Sequence, residues 1–172
     1  MNKLFTIALV LGLTGCSLFT SKVEANTNIN GSVESRCSIN TDTAGYYGNP
    51  NAYTLNTTAS DGGQKPILRL DVSLASAYIA AISYPTSFSS SPSLSDSVAF
   101  TGGVAVVQVS ASGMDGYQAA STVTNSGSTR NYNLSTAGST WFEVTSQAVY
   151  GGNKAFPSGS YATTVVAECI AQ

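Results

Sequence analysis

Hydrophobic and polar residues alternate along much of this chain, which is the pattern of extended strands with one buried face. The clearest case covers residues 67–74, where every second position from Leu68 to Leu74 is aliphatic and Arg69 and Asp71 stand between. We predict a half-buried antiparallel strand here, with the aliphatic side turned to the core.

Shorter runs of the same kind recur between clusters of Gly, Asn, Ser and Pro, and none has the 3.6-residue period of a helix. Further strands are predicted at residues 52–58, 77–84, 97–101, 104–110, 117–124, 129–134, 140–150 and 161–170. Gly102 and Gly103 predict a hairpin turn or bulge. Phe88 and Leu94 are expected to hold the serine-rich loop 86–95 against the core. Many short strands predict one all-β domain, a sandwich or barrel.

Composition narrows the classes of function. Only 9% of the residues are charged and the few basic ones are scattered, which argues against a nucleic-acid partner. The chain has no histidine, so it lacks the usual general base and the commonest metal ligand. The carboxylates are spread singly along the sequence. We therefore expect no enzymatic activity, no catalytic residues, no metal and no cofactor.

The first residues have the pattern of an export signal. A short basic start precedes an apolar run from Leu4 to Leu13 that is too short to cross a bilayer. Cleavage after Ala25 would make residues 1–25 a signal peptide. Alternatively, residues 1–15 are a lipoprotein signal and Cys16 is lipidated, because residues 13–16 read Leu-Thr-Gly-Cys. In both cases the protein is exported, and the second makes it an outer-membrane lipoprotein.

The three cysteines are Cys16, Cys37 and Cys169. Cys16 is either removed with the signal peptide or lipidated, so in both cases it cannot form a disulfide. An oxidising compartment then favours a disulfide between Cys37 and Cys169. The alternative is a pair of free, buried thiols.

Two further stretches are candidates for binding. Residues 28–40 alternate again, with Ile29, Gly31 and Val33 on one side, and predict a strand that leads into Cys37. Tyr46 and Tyr47 lie in a turn-rich segment, where rigid amphipathic rings would suit a ligand loop. A half-buried place at a strand end is the structural alternative for these tyrosines.

The two ends of the domain carry a resemblance to a known family. Asn-Gly-Ser-Val at residues 30–33, followed by Cys-Ser-Ile at 37–39, resembles the N-terminal extension of chaperone–usher fimbrial subunits. Gly-Ser-Tyr-Ala-Thr-Thr-Val-Val at 159–166 is similar to the last strand of that family. The resemblance implies an incomplete immunoglobulin-like antiparallel β-sandwich that lacks its final strand and is completed by donor-strand exchange.

The resemblance also implies roles for individual residues. Residues 26–36 would be a donor-strand extension and 37–172 the sandwich domain. Ile29, Gly31 and Val33 would enter a neighbour's groove, and the groove-edge strand would carry Tyr161, Thr163, Val165 and Val166. The implied partners are like subunits, a periplasmic chaperone, an outer-membrane usher and a host or surface receptor, with the chain reaching the cell-surface fimbrium through the periplasm.

The sequence thus supports two hypotheses of function. The first is a structural fimbrial subunit that assembles through residues 27–35 and contributes to adhesion. The second is a monomeric exported or lipid-anchored β-sandwich that binds a ligand through its tyrosine-bearing loops.

Overall fold

The computed structural model describes residue 30 and residues 36–73, 78–110 and 123–172. The chain divides into two units, Met1–Ser32 and Val33–Gln172, and every element below belongs to the second. Most of the predicted strand 117–124 lies outside the described residues. So do the predicted donor residues and the lipidation candidate, namely Ile29, Gly31, Val33 and Cys16.

The first of two sheets is built around one long strand. It contains β1 (Cys37–Thr43), β2 (Gly48–Asn51), β3 (Thr54–Asn56), β4 (Ile67–Val72), β6 (Val98–Val109) and β9 (Gly138–Tyr150). β9 is central, because β6 pairs along one of its edges while β4 and β3 share the other edge. β1 lies beyond β4, and β2 lies beyond β3.

The second sheet has the order β10 (Val166–Ala171), β5 (Tyr78–Ser83), β8 (Thr129–Leu134) and β7 (Val123–Ser126), with antiparallel pairing throughout. Its inner face and that of the first sheet share one hydrophobic core. The core residues are Leu68, Leu70 and Val72 on β4, Phe142 and Val144 on β9, Tyr78, Ala80 and Ile82 on β5, and Tyr132 and Leu134 on β8. This arrangement confirms the predicted all-β, sandwich-like fold.

Alternation predicted the central strands well. In β4, buried Leu68, Leu70 and Val72 alternate with half-buried polar and aliphatic positions, as predicted. β5, β8 and β9 lie within a residue or two of their predicted limits. The predicted strand 52–58 is shorter in the structure, because only Thr54–Asn56 pairs with β9.

The turn or bulge predicted at Gly102 and Gly103 is wrong. Both glycines lie inside the continuous strand β6, paired with Ser146 and Thr145, and the register shift falls further on, between Val106 and Gln108. Gly102 is needed for close packing instead, since an added Cβ would collide with the carbonyl oxygen of Thr145 and with the Tyr84 ring.

The predicted last strand, 161–170, begins too early. The ladder with β5 covers only Val166–Ala171, so Tyr161, Thr163 and Val165 precede the strand. Half-buried and exposed residues nevertheless alternate from Tyr161 to Ile170, as they would in one extended segment. The segment 161–165 is spaced like a strand, and among the described residues only Ala162 has a bridge partner, Ser90.

Candidate functional site: an open cleft between the two sheets

β1 and β10 are edge strands of different sheets, and a disulfide joins them. Within the described part of the chain β1 pairs only with β4, and β10 pairs only with β5. The disulfide links Cys37 at the start of β1 to Cys169 near the end of β10, with 6.3 Å between their Cα atoms. The predicted pairing is therefore confirmed, and a disulfide is consistent with an exported protein.

The inner face of β1 is uncovered. Ile39 and Thr41 pair directly with Leu70 and Leu68, so all four side chains point to the same side of the sheet. Leu70 is fully buried and Leu68 is 8% exposed, whereas Ile39 remains 38% exposed and Thr41 is exposed as well. β1 is an edge strand, and along its side away from β4 no strand of the described residues pairs with it.

The segment 161–165 forms the facing wall. Tyr161, Thr163 and Val165 are half-buried, and they continue the inward-facing row of β10, which includes Cys169. The backbone of Ala162 exchanges hydrogen bonds of 2.8 Å and 3.3 Å with that of Ser90, which holds the segment in place.

Between these walls lies a cleft of about 800 Å³. Its floor includes Leu55, Leu68 and Val144, which are at most 8% exposed and belong to the inner face of the first sheet. Thr41 and Ala44 lie on the β1 side, opposite Thr163 and Val165. The cleft therefore opens directly onto the inside of the sandwich rather than onto a surface loop.

Polar groups in the floor are already satisfied. The hydroxyl of Thr57 accepts a hydrogen bond of 3.0 Å from the amide of Ser146 and donates one of 3.3 Å to its carbonyl. Among the described residues, no buried side-chain polar atom lacks a partner. An occupant thus meets apolar surface and paired hydroxyls, which suits aliphatic side chains better than a polar ligand.

The Tyr47 side chain joins the floor of the cleft to the wall formed by segment 161–165. Its hydroxyl lies 2.7 Å from that of Ser146 and 3.2 Å from that of Thr163. The Tyr47 side chain therefore narrows the cleft beside Thr163, the middle of the three inward-facing wall residues.

An aromatic cluster supports the end of the cleft that is remote from the disulfide. Phe88 lies at its centre, with ring centroids 4.9 Å from Phe100, 5.1 Å from Tyr161 and 6.1 Å from Phe156. The prediction that Phe88 holds loop 86–95 against the body is confirmed. The hydroxyl of Tyr161 donates to the carbonyl of Pro157 at 2.6 Å, and burial raises the pKa of Tyr161.

Two other predicted site residues, Tyr46 and Val166, differ in their position relative to the cleft. Tyr46 is 57% exposed on the cleft rim, and its backbone forms a bridge with Gln64. Val166 is in register with Ser83 and points to the outer face of the second sheet, so its side chain does not line the cleft.

The sequence did not single out the floor of the cleft. Leu68 was predicted as core, and Leu55 lay in a predicted strand, but nothing in their spacing indicates that the core is open above them. The partial signal was Ile39, an aliphatic residue in an otherwise polar strand of the sequence Cys-Ser-Ile-Asn-Thr-Asp-Thr.

Comparisons of the chain with protein-family models, with curated protein sequences and with solved structures found no match. Within residues 36–73, 78–110 and 123–172 there is no cluster of side chains that would hold a metal ion. In the same part of the chain, no helix has the length and apolarity needed to span a membrane. The cleft is thus the feature from which a function can be argued.

Proposed function

We propose that this protein is a structural subunit of a bacterial surface fimbria and that it assembles by donor-strand complementation. The cleft between β1 and the segment 161–165 would accept residues 27–35 of another copy. The observation that carries this proposal is the exposure of Ile39, an inward-facing residue beside a fully buried neighbour in the ladder, Leu70. Two strand edges that flank open core surface are a site for strand addition.

The spacing of the proposed donor supports the match. Ile29, Gly31 and Val33 occupy every second position, which puts their side chains on one face over about 13 Å of extended chain. Tyr161, Thr163 and Val165 form a row of the same length and spacing on the cleft wall. In the proposed complex, three donor positions would therefore lie opposite three wall positions.

The middle position explains the glycine. Gly31 would lie level with Thr163, where the Tyr47 hydroxyl contacts the wall and takes up space beside it. A residue without a side chain fits there, while Ile29 and Val33 would cover the apolar surface on either side.

The second candidate is a monomeric binding protein, and one observation favours it. Tyr46 is exposed on the cleft rim, where its ring is available to a ligand. The apolar floor with its paired hydroxyls favours the donor strand over a sugar or another polar ligand.

Charge placed on either face of the donor tests the proposal. In the chain from Asn26 onward, the double variant Ile29→Asp and Val33→Asp should stay monomeric, because a buried carboxylate loses its hydration and no Lys or Arg is among the described residues that line the cleft. The control variant, Asn30→Asp and Ser32→Asp, adds the same charge to the opposite face and should assemble like the parent. Light scattering and electron microscopy would measure assembly. Equal assembly by all three chains, or assembly by none, would contradict the proposal.

Removal of the segment separates the two candidate functions. A chain without residues 26–35 should fold, bind a chaperone and fail to polymerise. If that deletion unfolds the isolated monomer, the segment is an internal strand of the sandwich, and the fimbrial hypothesis is wrong.

A further inference from the structure

The Cys37–Cys169 disulfide brings the two edges of the cleft too close for a strand to lie between them. Neighbouring strands are about 4.8 Å apart, so a strand inserted between β1 and β10 needs about 9.5 Å from one edge to the other. The Cα atoms of Cys37 and Cys169 are 6.3 Å apart. The cleft is therefore closed at this end, and its lining lies toward the other end, beside Ala44 and Tyr161.

We propose that this disulfide is a stop that sets the direction and the depth of the incoming strand. The inference rests on the proposed function, since it concerns the same cleft and the same donor. A donor remains attached to its own domain through Arg36 and Cys37, so its C-terminal end must leave by the open end of the cleft. Its free N-terminus then points at the disulfide.

This direction fixes the pairing of the donor with both edges. β1 runs away from the disulfide and β10 runs toward it, since Cys37 begins β1 and Cys169 lies near the end of β10. The donor would therefore be parallel to β1 and antiparallel to β10. Ile29 would lie near Val165, and Val33 near Tyr161.

The cleft lining ends at Val165, and the distance from there to the disulfide can be compared with the two predicted N-termini. Val165 and Cys169 are four residues apart, which is about 13 Å of strand. A chain that starts at Asn26 has three residues before Ile29, about 10 Å, and so ends just short of the disulfide. A chain that starts at Cys16 has ten more residues, which would have to bend out of the cleft. A donor that starts at Asn26 would thus end before the disulfide, whereas one that starts at Cys16 would not.

Peptides extended at one end or the other test the stop. The acceptor is the chain from Asn26 to Gln172 with Ile29→Asp and Val33→Asp, so that its own segment cannot occupy a cleft. The probes are a peptide of residues 26–36 and two longer versions, with Gly-Ser-Gly-Ser added before Asn26 or after Arg36. Calorimetry without labels gives each dissociation constant. We expect the N-terminal addition to weaken binding by about tenfold or more and the C-terminal addition to change it less than about twofold.

Replacement of both cysteines is the matched control. In an acceptor that also carries Cys37→Ser and Cys169→Ser, the penalty for the N-terminal addition should disappear. If that variant does not fold, the test rests on the disulfide-bonded acceptor, where the N-terminal addition should weaken binding more than the C-terminal addition does. Equal effects of the two additions, or a penalty confined to the C-terminal one, would overturn the stop while leaving strand addition intact. Failure of all three peptides to bind would instead contradict the proposed function itself.

Discussion

Ile39 and Leu70 stand directly opposite each other in the β1–β4 ladder, yet Leu70 is fully buried and Ile39 is 38% exposed. The two side chains share one face of the sheet, so backbone geometry does not explain the difference. Leu70 packs in the core shared with the second sheet, whereas Ile39 lies on an edge strand and stays partly in water. The sandwich alone therefore buries Leu70, whereas Ile39 would be buried fully only if a further strand were added.

Substitutions at the two positions should differ in the state that they affect. In the monomeric Ile29→Asp, Val33→Asp chain, Leu70→Ala should cost about 2–5 kcal/mol of unfolding free energy, because it leaves a cavity in the core. Ile39→Thr keeps a β-branched side chain and should cost less than about 1 kcal/mol there, since Ile39 is already partly in water. In a chain that assembles, Ile39→Thr should cost more. Urea denaturation of both forms provides the measurement.

The outcome for the monomer is decisive. If Ile39→Thr destabilises it as much as Leu70→Ala does, then Ile39 is covered within a single chain and the cleft is not open. Ser38→Thr serves as the control, because Ser38 lies on the opposite face of β1.

A large residue in place of Gly31 should prevent assembly. We expect Gly31→Leu to abolish polymers, since the side chain would meet Tyr47 where it approaches Thr163. Ser32→Leu adds the same side chain to the other face of the donor and should leave assembly largely intact. Size-exclusion chromatography with light scattering would distinguish the two. Polymers formed equally by both variants would contradict the match between Gly31 and the narrow part of the cleft.

Alternation along the sequence was enough to predict the body of this fold. Leu68 and Leu70, with the polar residues between them, define a face and a period without any knowledge of the neighbouring strands. The row that contains Tyr161 and Val165 came from the resemblance at the end of the chain, which did not separate Val165, on the inner side, from Val166, on the outer side. Alternation could not show where hydrogen bonding begins, because an extended segment has the same alternation whether or not a partner strand lies beside it.

The open cleft could not be predicted from the sequence, for a related reason. Ile39 looks like a core residue in every local respect, and only the structure, in which β1 is an edge strand, reveals that it stays 38% exposed. The contact of Tyr47 with Thr163 joins residues 116 positions apart, so no local pattern could indicate it. The disulfide was predictable because only two cysteines remained to pair.

Tyr132 links the two sheets and should make stability depend on pH in alkali. Its hydroxyl donates to the carbonyl of Val104 at 2.7 Å, and burial raises the pKa of Tyr132. The folded state therefore holds this proton more tightly than the unfolded state, in which tyrosine has a pKa of about 10. This contribution to stability is complete below that value and is lost as the pH rises toward the folded pKa.

Tyr132→Phe should remove that part of the alkaline loss. Near neutral pH the variant should also lose about 1 kcal/mol, because the hydrogen bond to Val104 is gone. Urea midpoints measured from neutral to alkaline pH would show a flatter decline than in the parent. Tyr46→Phe, which removes an exposed hydroxyl, controls for the loss of a phenol and should keep the neutral-pH stability. An unchanged alkaline decline in Tyr132→Phe would show that Tyr132 does not contribute to it.

Gly102 and Gly103 are neighbours in β6 but should respond differently to the addition of a methyl group. A Cβ at Gly102 would lie 2.8 Å from Cδ2 of Tyr84 and closer still to the carbonyl oxygen of Thr145, whereas at Gly103 its nearest neighbour is the Thr145 hydroxyl at 3.4 Å. Gly102→Ala should therefore lower the unfolding free energy by about 1–3 kcal/mol through overpacking. Gly103→Ala should be close to neutral, and thermal or urea unfolding of the two variants gives the comparison. If Gly102→Ala were as close to neutral as Gly103→Ala, the Thr145 carbonyl and the Tyr84 ring would have to move aside without cost, and Gly102 would not be required for the packing of β6.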